Sequence, residues 1–253
     1  MSDPNQEFHA PPPPPTPEAP AGETMSTPAT LTGIFFEPSR VFAVFRYRPK
    51  FLIAAIVLFV LTAGVTAVVY MRVDMGQYIR DKMERSQRNQ NATPEQKEMG
   101  VKIGKIIGAV GIPISVPITI AAGAALYLLG VLAFGGSITY KQSLAVWVYS
   151  SLPPAVFGSL VAVLVLFLKA ADTIDPEHLL VTNPGAFLGP DSSPVMVALL
   201  SQFDLLRFYG LFLAALGLKK VAKMSTGAAW GVVLTFFILR AVLAIANAAI
   251  FGG

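Results

Sequence analysis

Cysteine is absent from this chain. That excludes disulfides, thiolate metal sites and cysteine nucleophiles. Histidine is scarce, with only His9 and His178. The stretch "DPEHLL" at 175–180 therefore lacks the second histidine of a zinc-protease helix. No glycine-rich phosphate loop is present, and "GGS" at 135–137 has no membrane histidine to serve it as a base. These absences predict no enzyme, no cofactor and no metal. Charge is scarce as well: 13% of residues are Asp, Glu, Lys or Arg, against about 25% in soluble domains. No basic aromatic motif of the kind that reads RNA or DNA occurs, so nucleic acid is not an expected partner.

Apolar residues fill the place of the missing charge. They make up 54% of the chain, and the mean hydropathy is +0.60. The composition is that of an all-α integral membrane protein, with membrane lipids as its first partners. Residues 1–32 differ. They are acidic, carry "PPPPP" at 11–15 and show no positively charged n-region or apolar h-region. They read as a disordered, polyproline-rich tail rather than a signal peptide, either a solvated spacer or a ligand for an SH3-like module.

Residues 33–250 read as the membrane domain. "GIFFEPSRVFAVFRYR" at 33–48 places Val41, Phe42 and Phe45 on one helical face. It predicts a short amphipathic helix lying in the headgroup layer before the first span, or simply a lead-in to it. Five apolar runs follow, at about 51–71, 110–135, 144–168, 202–218 and 227–250. Each approaches the roughly 20 residues a span requires. The polar link 72–105 is expected to be partly helical, with "TPEQ" at 93–96 as a capping start. Short links make helices two and three, and four and five, antiparallel hairpins. Arg40, Arg46, Arg48 and Lys50, with Lys219, Lys220 and Lys223, then share one side, which the positive-inside rule makes cytoplasmic, although the 72–105 link on the other side carries eight basic residues.

Polar residues inside apolar runs mark the candidate sites. Pro153 and Pro154 fall well inside the third run, where missing amides break or kink the helix. Asp204 is the only acidic residue within the five runs, and Arg207 and Arg240 lie in the fourth and fifth. Asp204 and Arg240 are nearly equidistant from the turn between Ala222 and Lys223. Equal rise per residue puts them at one depth and predicts an ion pair, with Arg207 competing for the carboxylate. Ser201 lies three residues before Asp204, a spacing that predicts a capping box and a fourth helix starting near 202.

Four stretches in order, "FFEPSRVF" at 35–42, "YSSLPPAV" at 149–156, "TNPGAFLG" at 182–189 and "FDLLRFYGLFLAALGLKKVAKMSTGAA" at 203–229, carry a resemblance. The chain resembles the Yip1 domain family, especially its bacterial members, over about 33–250. Members often have Trp near Tyr209, which this sequence lacks. The resemblance implies a five-span bundle with a cytoplasmic N-terminus in a bacterial inner membrane and no catalytic residues. Eukaryotic members act in vesicle traffic with Rab-type GTPases, a partner not carried over here. Two functions follow as expectations: a non-enzymatic scaffold that organises lipid or recruits partners, or a small-solute transporter. The second would be built around the Pro153–Pro154 break and the Asp204–Arg240 pair.

Overall fold

Four helices of the computed structural model are long and apolar enough to cross a membrane, and a bent pair adds a fifth if it counts as one span. The structure describes residues 24–85, 92–176, 179–180, 182–189 and 192–251. The expected tail up to residue 23, His9 and His178 lie outside it. Among the described residues there are only helices and loops, in the order α1 Thr27–Phe36, α2 Pro38–Phe45, α3 Leu52–Arg72, α4 Met75–Arg85, α5 Pro94–Ile106, α6 Ile112–Ala133, α7 Tyr140–Leu168, α8 Pro194–Leu200, α9 Leu205–Val221 and α10 Thr226–Phe251. A π-helical turn, Ile107–Gly111, joins α5 to α6, so one helical run extends from Pro94 to Ala133.

The longest helix, α7, sits at the centre and packs on α3, α6 and α9. The α9–α10 hairpin forms as expected, and α10 also covers α6 and α8. Helix starts follow the local signals. Thr93 accepts from Gln96 N at 3.3 Å while Gln96 Oε1 accepts from Thr93 N at 2.9 Å, the reciprocal box expected of "TPEQ". Thr139 and Gln142 repeat the box at α7, and Gln142 Nε2 also donates to the Arg46 carbonyl at 2.6 Å.

The N-terminal segment corrects two expectations. The first helix starts at Thr27, inside the stretch expected to be tail, capped by the Ser26 hydroxyl. It is ordered because Thr30 and Ile34 find protein: both are fully buried, and the Thr30 and Tyr149 hydroxyls hydrogen-bond at 2.9 Å. The amphipathic helix is present as α2, but its apolar face meets protein rather than lipid. Val41, Phe42 and Phe45 are fully buried, and the Phe45 ring meets Tyr149 edge-on at 4.5 Å. Gly217 of α9 makes this possible. A Cβ there would come within 2.8 Å of Val146 and 3.0 Å of Phe42.

The link after α3 folds into an α4–α5 hairpin. Asp74 caps α4, its Oδ1 accepting from Gln77 N at 3.1 Å and Gly76 N at 2.9 Å. Those two amides, Gln77 first, hold its carboxyl below the ordinary range, and Lys105 and Arg80 add to the effect. A depressed folded value contributes stability at neutral pH that is lost as the pH falls through the carboxylate range. Exchange at the Gly76 and Gln77 amides is expected to accelerate on acidification, corrected for intrinsic rate. Asp74→Asn should remove that pH dependence. A wild-type profile identical to the variant's would contradict the cap.

Candidate functional site at the α8–α9 joint

The two charges at the front of the fourth run bind different helix ends. Asp204 has an extended backbone and is itself the N-cap of α9, with Oδ1 accepting from Arg207 N at 2.9 Å. Its Oδ2 accepts from the Thr182 hydroxyl, and Leu205 N donates to the Thr182 carbonyl at 3.1 Å. A carboxylate here complements the positive end of the helix. Arg207 turns back to the end of α8. Its NH1 donates to the Ser201 carbonyl at 3.2 Å, the Gln202 carbonyl at 3.4 Å and Gln202 Oε1 at 2.7 Å. A cation satisfies the terminal carbonyls of a helix as an anion satisfies its first amides. The joint bends the α8–α9 pair by 47°.

The expected capping box is therefore corrected. Ser201 closes α8, and the helix begins at Leu205 rather than near 202, because Asp204 already holds the cap conformation. The expected Asp204–Arg240 pair is also corrected. The register behind it is right: Phe208 and Phe237 meet with ring centroids 5.9 Å apart, as the turn at 222–223 requires. The facing is not. Arg240 is exposed on α10 and makes no hydrogen bond or ion pair among the described residues. Its charge is felt by Arg207, of like sign.

Helix α7 runs unbroken through Pro153 and Pro154. Proline has no amide, so the Tyr149 and Ser150 carbonyls lose their helical donors. The Ser150 and Ser151 hydroxyls do not replace those donors; both donate to the Trp147 carbonyl, at 3.0 and 2.8 Å. Gly210 of α9 fits against the proline turn, where a Cβ would sit 3.4 Å from Pro154 and 3.5 Å from the Ser150 carbonyl.

Beside this turn lies a cavity of about 520 Å³. Its walls are the second half of α3, residues 154–162 of α7, the start of α6 and the loop around Leu180. Pro154 and Asp204 both line it, which brings two of the residues marked in the sequence to one site. Sequence reading missed its α3 wall and the π-turn. There Tyr70 donates to the Lys105 carbonyl at 2.7 Å, just before the π-turn. Gly108 leaves the space that the Tyr70 oxygen occupies. "GKIIG" was the available signal, a glycine spacing that permits close approach.

The lining is apolar with a few convergent polar groups, and the volume falls in the range of small-molecule sites. Among the described residues that line it, Asp204 is the only carboxylate and there is no Lys, Arg or His. Ile112 at the start of α6 forms part of the wall and is 47% exposed. No group of three or more His, Cys, Asp or Glu among the described residues is arranged to hold a metal.

Fold and site together define a multi-pass helical membrane protein with an apolar cavity. The Yip1 domain family model matches residues 32–247, and the chain belongs to that family. No curated protein and no solved structure matches it.

Proposed function

We propose that this Yip1-type protein is a non-enzymatic membrane scaffold that organises its surroundings by holding a lipid-like amphiphile between α3, α6 and α7. The observation that carries the reading is the cavity beside Pro154 and Asp204: apolar and walled by several turns of α3 and α7, a surrounding that suits an acyl chain. Its place is a bacterial inner membrane with the N-terminus cytoplasmic. Arg46, Arg48 and Lys50 gather with Lys219 and Lys220 at that end of the bundle, in support of this orientation. A C-terminal reporter that proved cytoplasmic would contradict it. The transport reading loses both its supports, since α7 is continuous and Asp204 binds Thr182 and the α9 amides instead of Arg240.

Narrowing the cavity tests the reading. Ala155 lines it; Ala155→Phe is expected to reduce co-purified lipid by one molecule per chain in native mass spectrometry. Leu243→Phe, on a face of α10 that is 62% exposed, should leave the count unchanged. Equal lipid retention in the two variants, at equal folded yield, would refute the reading. Solute flux abolished by Asp204→Asn would return the function to transport.

A further inference from the structure

We propose that the cavity selects its amphiphile by headgroup, taking one that carries a primary ammonium beside a phosphate, with Asp204 as the reader of the ammonium. The inference rests on the lipid-holding reading above. It starts from charge: among the described residues that line the cavity, Asp204 supplies the only carboxylate and none supplies a cation.

The carboxylate has capacity left. A carboxylate offers about four acceptor sites, and here Arg207 N and the Thr182 hydroxyl occupy two. Its charge is not consumed by a side-chain ion pair. The neighbouring guanidinium of Arg207 donates to Ser201 and Gln202, on the α8 side of the joint. An ammonium with three donors fits the remaining acceptor sites, and a charge-assisted hydrogen bond in an apolar setting is among the stronger polar contacts. A quaternary ammonium has no donor to offer, and an anionic headgroup would be repelled.

Asn183 supplies the complementary group. It lines the same cavity, and its Oδ1 accepts from Ala186 N at 3.1 Å. That bond fixes which side of the amide is oxygen and leaves the NH₂ as a donor to a phosphate oxygen. Ser159, one turn of α7 from Ala155, adds a hydroxyl on the opposite wall. A carboxylate and an amide donor at one end of an apolar slot match a zwitterionic phosphoethanolamine head on acyl chains. They match a phosphoglycerol or phosphocholine head less well.

The test uses the full chain in vesicles of phosphatidylethanolamine, phosphatidylglycerol and phosphatidylcholine in equal parts. The protein is withdrawn in mild detergent and its retained lipid identified. Wild type is expected to enrich the ethanolamine lipid roughly tenfold over each of the others, the order expected of one charge-assisted hydrogen bond. Asp204→Asn should abolish the enrichment at unchanged folded yield, because Asn caps a helix as well as Asp. Asp204→Ser, a second uncharged cap, gives the same reading if the Asn variant folds poorly. Enrichment that persists in these variants would overturn the proposal, as would wild-type retention without headgroup preference. In the latter case the lipid-holding reading stands. No lipid sensitive to Ala155→Phe would remove both.

Discussion

Phe45→Ala is expected to destabilise the folded protein by about 3–5 kcal/mol, the range for emptying a large buried aromatic site. Phe45 is fully buried, its ring lies 4.5 Å from that of Tyr149, and it also meets Phe42 at 6.3 Å. The loss extends along a chain of contacts, because Tyr149 in turn holds α1 through the Thr30 hydroxyl. Phe36→Ala provides the comparison. Phe36 is 85% exposed, and its removal should change stability by no more than about 0.5 kcal/mol. Steric trapping or denaturant titration in bicelles measures both. Near-equal values for the two variants would mean that α2 lies at the membrane surface, as its amphipathic pattern alone suggests.

Arg207→Ala is expected to cost about 1.5–3 kcal/mol, the value of charge-assisted hydrogen bonds left unmade in a partly buried site. The loss should be local. Arg207 ties the end of α8 to the start of α9, and Gln202, itself buried, passes the tie on to the Ala198 carbonyl at 2.8 Å. Amides of α8 should exchange at least tenfold faster while those at the centre of α7 are unchanged. Arg207→Lys should recover part of the effect, since the charge is kept while the planar guanidinium geometry is lost. If Arg207 were instead a partner of Asp204, Asp204→Asn would reproduce the α8 effect. The two variants are expected to differ.

Much of the architecture was legible because it depends on local or periodic signals. The apolar runs located the long helices, and "TPEQ" located the start of α5. The turn at 222–223 even fixed the register of α9 against α10, as the Phe208–Phe237 contact shows. Register, however, is a property of depth, and pairing needs a shared face. Arg240 points out of the hairpin, while Asp204 points to a loop residue, Thr182, that no periodicity links to it. The same limit explains α2. Its pattern shows that Val41, Phe42 and Phe45 share a face, but the cover over that face comes from α7 and α9, far along the chain. The proline pair is a local signal of another kind. A proline removes a donor without obliging the helix to part, and Gly210 lets α9 close against the weakened turn. The cavity emerged only when these long-range placements were combined.

The charges of "SQFDLLRF" thus act first as a clasp on two helix ends, and Asp204 faces the cavity with acceptor capacity to spare. The central claim, that this cavity holds a lipid, is tested most directly by electron cryo-microscopy of the full chain in nanodiscs containing phosphatidylethanolamine. The account predicts elongated density between α3 and α7, with its polar end within hydrogen-bonding distance of the Asp204 carboxylate. A map in which the walls have closed together, or in which only discrete water-sized peaks occupy the space, would contradict it.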